Sequence, residues 1–218
     1  MKRRDLLELI EEGENLHCEF KRKFSSPEKI AREMIAFANT KGGYIIFGVD
    51  DDKTIVGVES EKAEAELIND AAKTFCEPPI EYQLNYIDVE GKEIVVAEVY
   101  ESSNKPHRLQ DYLKNFDINK AEVIIRVNDK SMIASKEMVR IMKAQAENLT
   151  LKKYSIGPDE KRVFDYLSEN ETISVKQLSE LINISERRAS RTLVKLIRAR
   201  LLAIHTKDNG EEFFTAVG

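Results

Sequence analysis

The chain has 218 residues, 42% of them hydrophobic and 33% charged, with a net charge of −5. That is enough apolar material for one large or two modest packed domains, and too much for a disordered chain. No apolar run reaches the roughly 18–20 residues that cross a bilayer, and the basic start Met1-Lys2-Arg3-Arg4 turns acidic before the apolar stretch of a secretory signal develops. These features point to a cytoplasmic protein with no membrane partner. Two cysteines, Cys18 and Cys76, make neither a disulfide scaffold nor a four-cysteine zinc site, and His17, His107 and His205 lack ligand spacing. The charge is uneven. Residues 151–218 carry twelve Lys/Arg against ten Asp/Glu, and the rest carries 22 against 29. A polyanion approaches the tail more easily than the amino-terminal part.

The first predicted element is a helix with Leu6, Leu7, Leu9 and Ile10 as its apolar positions and Gly13 as its stop. Residues 16–21 alternate with period 2: Leu16, Cys18 and Phe20 face a core, and His17, Glu19 and Lys21 face the other way. Ser26-Pro27 opens a second helix, striped by Ile30, Met34, Phe37 and Ala38 and ending near Asn39. Gly42-Gly43 introduces a buried strand over residues 44–49, Asp50 to Lys53 form a turn, and residues 54–58 read as a returning strand. A helix over 60–76 and β segments near 80–88 and 93–100, joined through Glu90-Gly91, come next. A loop with Pro106 leads to a strand over 122–127, and Ser135 caps a helix whose Met138, Ile141 and Met142 are placed to pack back on the sheet. There is no internal repeat. This part reads as one α+β domain, a mixed sheet with flanking helices, over residues 1–147. A linker over 148–157 separates it from a second domain over 158–218.

That second domain has the clearer local grammar. Gly157-Pro158 starts a helix carrying Val163, Tyr166 and Leu167. Ser174-Val175-Lys176-Gln177 is a capping box ahead of a short helix with Leu178, Leu181 and Ile182. Asn183-Ile184 separate it from Ser185, which caps the next helix. Two apolar runs then flank Asp208-Asn209-Gly210, and Asn-Gly is the preferred centre of a two-residue hairpin turn. Three helices and a hairpin read as a small winged helix-turn-helix. On a helical wheel of residues 186–199, Ala189, Leu193 and Leu196 share one face. Arg187, Arg191, Lys195 and Arg198 lie opposite, with Arg188 at the edge and Glu186 as the helix's one acid. Long cations pointing away from a core suit contacts to phosphates and guanine edges. The alternative is a solvated or protein-binding face.

Three chemistries compete in the amino-terminal domain. A nucleotide site is invited by Gly42-Gly43, but no G-x-x-x-x-G-K-[ST] string exists, so no motif supports ATP. A metal-dependent phosphodiesterase would use Glu19 and Lys21 on one strand face, Glu14 upstream and Asp50 at the end of the following strand, with Mg²⁺ or Mn²⁺ on the carboxylates. On spacing alone, a surface ion pair and a solvated acidic turn explain the same residues. The third reading is a binding or assembly platform with a local basic groove of Lys21, Arg22 and Lys23.

Several blocks together resemble the Schlafen-type AlbA-like domain, also described as a divergent AAA-type ATP-binding region. They are Glu14-x-x-x-x-Glu19-Phe20-Lys21, the run from Ile35 to Tyr44 (IAFANTKGGY), Phe47-Gly48-Val49-Asp50-Asp51 and Val56-Gly57-Val58. Pro106, Ile125-Arg126-Val127 and Ala134-Ser135 fit its end, so the resemblance spans about residues 5–140. Where the family usually has Gly-Ser after its Val-Arg-type strand, this chain has Asn128-Asp129-Lys130-Ser131. The resemblance implies a DNA-binding transcriptional regulator of the microbial type, often joined to a carboxy-terminal helix-turn-helix. It also implies a rival, an RNA-cutting three-carboxylate site as in some animal Schlafens, with Glu14 and Glu19 as two ligands and Asp50 or Asp52 as the third. The expected partner is duplex DNA, met by a homodimer with two half-site contacts, and RNA is the alternative substrate. No cofactor is expected for the regulator.

Overall fold

The structure is a computed structural model that describes residues 1–113, 115–146 and 156–217. It divides into two compact units, Met1–Ala134 and Ser135–Gly218.

The first unit opens with helix α1 (Arg3–Glu12), ended by Gly13 at φ +88°. Strand β1 (Cys18–Lys21) and helix α2 (Pro27–Asn39) follow. The Ser26 hydroxyl accepts from the Lys29 amide at 3.3 Å and Pro27 fills the first turn, so α2 begins where capping chemistry dictates. Strand β2 is Gly43–Phe47 and helix α3 is Glu61–Thr74, capped by Ser60. Short strand β3 (Cys76–Glu77) precedes the long hairpin β4 (Tyr82–Val89) and β5 (Lys92–Val99). Strands β6 (Arg108–Leu109), β7 (Ile124–Val127) and β8 (Lys130–Ile133) complete the unit.

The main sheet has the order β1-β2-β5-β4. β1 and β2 are parallel, bridged by α2, and the other pairs are antiparallel, so the sheet is mixed as expected. Both faces are covered. Ile45, Phe47, Val95, Ala97 and Val99 pack with α2 and α3, while Cys18, Phe20, Ile46, Ile94 and Val96 pack with Leu6 and Ile10 of α1. This double cover explains one departure from the sequence pattern. Glu19 does face away from Cys18 and Phe20, yet it is buried, because that face lies on the α2 side. The returning strand expected over 54–58 reduces to a single bridge, Val49 to Ile55, and Val58 instead donates its amide to the Glu93 carbonyl at 2.8 Å. Two further pairings carry too few residues to show a period: β3 with β6, and β7 with β8 around Asn128 at φ +53°.

The Gly42-Gly43 pair is a packing device. A Cβ on Gly42 would meet the Val99 carbonyl oxygen at 2.7 Å, and one on Gly43 would meet the Phe37 ring at 2.5 Å. The glycines allow α2 to turn directly into the sheet. Beside them, buried Asn39 donates to the carbonyls of His107 and Ile124 at 2.8 and 2.9 Å and accepts from the His107 amide at 2.8 Å. Cys18 and Cys76 are both buried, and desolvation pushes each thiol up to about 12.

The second unit holds helix α4 (Lys136–Ala146), then α5 (Pro158–Glu169), α6 (Val175–Leu181), α7 (Glu186–Arg198) and the antiparallel pair β9 (Leu202–Thr206) and β10 (Glu212–Ala216). The capping box is formed: Gln177 donates its amide to Ser174 Oγ at 3.2 Å, and Ser174 donates its amide to Gln177 Oε1 at 2.7 Å. Val163, Leu178, Ala189, Leu193, Leu196, Leu202 and Phe214 make one core. Two details differ from expectation. The hairpin closes through a three-residue loop in which, of residues 208–210, Gly210 alone has positive φ, at +85°, and its amide donates to the Lys207 carbonyl at 2.8 Å. That is a turn followed by a glycine bulge, not a two-residue Asn-Gly turn. Helix α4 groups with this unit and packs against α7, and its buried Ile141 and Met142 belong to neither core cluster of the sheet. The expected linker, apart from residues 156 and 157, lies outside the described residues.

Asn39→Ala leaves two carbonyls and one amide of the first unit without partners in a buried place. The expected loss is about 1–3 kcal/mol for the orphaned groups, measured by urea unfolding of the full chain. An unchanged midpoint would show that the Asn39 bonds do not hold α2 to the strands beyond it.

Candidate nucleic-acid interface

Two residue sets are candidates, and the structure treats them differently. The first is the E-x-K set. Glu19 of β1 accepts from the Arg126 guanidinium at 2.6 Å through Oε2 and pairs with Lys21 through Oε1. Glu14 accepts the Phe20 amide at 2.9 Å, Asp50 pairs with Arg22 at 2.7 Å, and Asp52 accepts the Thr54 amide at 2.9 Å. Hydrogen bonds from Thr54, first through its side chain and then its backbone, hold the Asp52 carboxyl below its ordinary value. Among the described residues, no three His, Cys, Asp or Glu side chains come together as a set that could hold a metal ion. The expected ligand set of Glu14, Glu19 and Asp50 is therefore not assembled, nor is the version with Asp52. The physical reason is that Glu19 already answers two cations, and Asp50 turns toward Arg22. Lys21 is likewise engaged, with Glu19.

What that corner of the fold does build is a buried charge network. The Arg126 side chain on β7 is 1% exposed. Its guanidinium donates to the carbonyls of Asn15 and Cys18, each at 3.1 Å, and to Glu19, and it reaches Glu33 of α2 and Ser131 of β8 at 3.3 Å. It also lies over the Phe37 ring, 5.0 Å from the centroid. Burial, and next the charge of Glu19, raises the Glu33 carboxyl above its ordinary value, and burial does the same for Glu14. Glu33, Ser131 and the role of Arg126 were missed from the sequence. Signals existed: Glu33 interrupts the apolar stripe Ile30, Met34, Phe37 at a core-facing position, and Arg126 is a charge inside an apolar strand.

The second set lies on α7, whose Ser185 cap accepts from the Arg188 amide at 3.4 Å. The inward face carries Ala189, Leu193 and Leu196, all fully buried. Arg187, Arg191 and Lys195 are exposed, and none has an ion-pair partner among the described residues. Arg188 differs: its guanidinium holds Asp159 of α5 through two bonds of 3.0 and 2.6 Å. Arg198 is half-buried and engaged within the protein. Of the five cations singled out from the wheel, three thus present free heads and two are tied inward to different degrees.

The network makes two predictions. Arg126→Ala removes the buried cation shared by Glu19 and Glu33 and should cost roughly 3–5 kcal/mol, and adding Glu19→Gln should recover part of that loss. Urea unfolding of the single and double variants checks this, and a mild single-variant effect would contradict it. Because the Glu33 carboxyl is held above 4.5, the folded chain keeps its proton to higher pH than the unfolded chain does. Its contribution is therefore present at low pH and is lost as pH rises from about 4.5 through the folded value. Glu33→Gln should make the decline of stability above about pH 4.5 shallower; an unaltered slope would remove Glu33 from the account.

Residues 14–135, more than half of the chain, match the Schlafen, AlbA_2 family. An ATP-binding protein of Ureaplasma parvum is 34% identical over 87 residues, which are 37% of this chain and 24% of that protein. The match thus spans about a quarter of that relative's length. Among solved structures, the N-terminal domain of a RecG-related DNA helicase protein from Nitrosomonas europaea aligns at TM-score 0.44 and 22% identity, over 53% of this chain and 84% of that one. A MarR family transcriptional regulator from Silicibacter pomeroyi aligns at TM-score 0.28 and 21% identity, over 38% of this chain and 57% of that one. No described helix is long and apolar enough to cross a membrane. By the match over its first unit, this chain belongs to the Schlafen, AlbA_2 family.

Proposed function

We propose that this protein binds duplex DNA through its second unit and acts as a transcriptional regulator, with α7 as the helix that enters the major groove. The observation that carries the reading is the exposed row of Arg187, Arg191 and Lys195, without ion-pair partners among the described residues, on the face of α7 opposite its core. Like charges on one helical face repel by a few tenths of a kcal/mol per pair, which an anion relieves, and phosphates and guanine edges are the partners those heads fit. The three helices and the hairpin supply the winged-helix frame in which such a helix docks. Two copies would present two α7 helices to two half-sites, which is an analogy of fold and part of the proposal. Nuclease chemistry is not part of this reading, because two of the carboxylates it would use, Glu19 and Asp50, are paired with Arg126, Lys21 and Arg22.

The test is the salt dependence of binding to labelled duplex DNA. Replacing Arg187, Arg191 and Lys195 together by Gln should weaken binding and flatten the slope of log affinity against log salt by about three, near 0.9 for each lost phosphate contact. Unchanged affinity and slope in the triple variant would reject α7 as the interface.

A further inference from the structure

Arg188 stands apart from the other cations of α7 by how it is bonded. Its guanidinium donates to one oxygen of Asp159, Oδ2, through Nε at 3.0 Å and through Nη2 at 2.6 Å. Those two nitrogens form one edge of the planar group. The next edge runs from Nη2, which carries a second hydrogen, to Nη1, which makes no bond among the described residues. The side chain is still 62% exposed, whereas that of Asp159 is 28% exposed. Asp159 lies in the first turn of α5, just after Pro158, where the helix dipole favours a carboxylate. The bonded edge is thus anchored from a second helix, and the Nη1–Nη2 edge keeps its donors. Arg188 is also the third residue of α7, three before Arg191 and seven before Lys195, so it shares their side of the helix at its amino-terminal end.

We infer that Arg188 reads the edge of a guanine in the major groove and that Asp159 is the residue that positions it. The inference rests on the DNA-binding reading and adds to it the residue that chooses sequence. Asp159 offsets the Arg188 charge at contact distance, so a phosphate gains little from this cation. Donors are not offset in the same way. A guanine edge presents two acceptors, O6 and N7, and no net charge, and the Nη1–Nη2 edge matches that pair. Recognition helices touch base edges with their amino-terminal residues, which is where Arg188 lies. A long side chain must otherwise be ordered on binding, and the two bonds to Asp159 order this one beforehand. Arg187, Arg191 and Lys195, without ion-pair partners among the described residues, keep their full charge for phosphates. An ion pair with a purely structural role would add little stability and would leave base preference untouched.

The experiment uses the full chain to select from a pool of duplexes with a randomised central window, and then follows a labelled selected duplex by anisotropy across a salt series. Thermal melting of Arg188→Gln and Asp159→Asn checks that the fold is intact. The unaltered chain should select guanine at a fixed position. Arg188→Gln should erase that preference, weaken binding to the selected duplex by about 5- to 150-fold and leave the salt slope as it was. Asp159→Asn should also lower the guanine preference, but with a slope steeper by up to about 0.9, because the released cation becomes one more phosphate contact. The inference is overturned, with DNA binding left standing, if the unaltered chain shows no guanine preference, if Arg188→Gln keeps it, or if Arg188→Gln only flattens the slope by about 0.9 as a phosphate contact would. An Asp159→Asn chain that selects and binds like the unaltered one removes the positioning role. If no duplex binds at any salt concentration, the regulator reading falls and this inference falls with it.

Discussion

The first unit depends on one buried guanidinium. Arg126 is removed from water, so its charge and its donors must be answered by protein. It draws in carbonyls from the segment before β1, a carboxylate from β1, a second from α2 and a hydroxyl from β8. The β1 region, α2 and the β7–β8 hairpin, distant from one another in sequence, are thereby set in one arrangement, because each supplies part of what a single planar cation requires. Burial of ions is poor at adding net stability, but it is intolerant of alternatives, since every wrong docking strands a charge. The same economy decides the chemistry of the corner. Glu19 answers Arg126 with one carboxylate oxygen and Lys21 with the other.

The second unit solves the opposite problem. Its core occupies one side of α7, and the far side carries Arg187, Arg191 and Lys195, which have no ion-pair partner among the described residues. Arg188 shows what neutralisation looks like when it happens, with Asp159 of α5 filling its fork. The contrast with its neighbours Arg187 and Arg191 is that these have no such partner among the described residues.

Much of this was legible in the sequence where the causes are local. Ser26 with Pro27, the box of Ser174 with Gln177, and Ser185 mark helix starts because a cap acts within three residues. Period 2 places Cys18 and Phe20 together, and the wheel places the α7 cations opposite Leu193, because both are properties of one segment. What was not legible is long-range. Nothing near Glu19 announces that residue 126 will answer it, and a two-sided sheet buries residues that alternation leaves facing away from the first core. The α4 helix has an apolar stripe, but a stripe does not name its partner, and α7 took the place assigned to the sheet. Asn-Gly signals a hairpin without fixing its loop length, so the turn was right in place and wrong in type.

The placement of the two thiols has a practical corollary. Cys18 and Cys76 both sit in the first unit, the second unit has none, and in the folded state each is shielded and held as the neutral, unreactive form. Alkylation by a small reagent at neutral pH therefore has to wait for that unit to open. The native chain carries its own chemical clock for breathing of one half, read without any engineered label and blind to motions of the other.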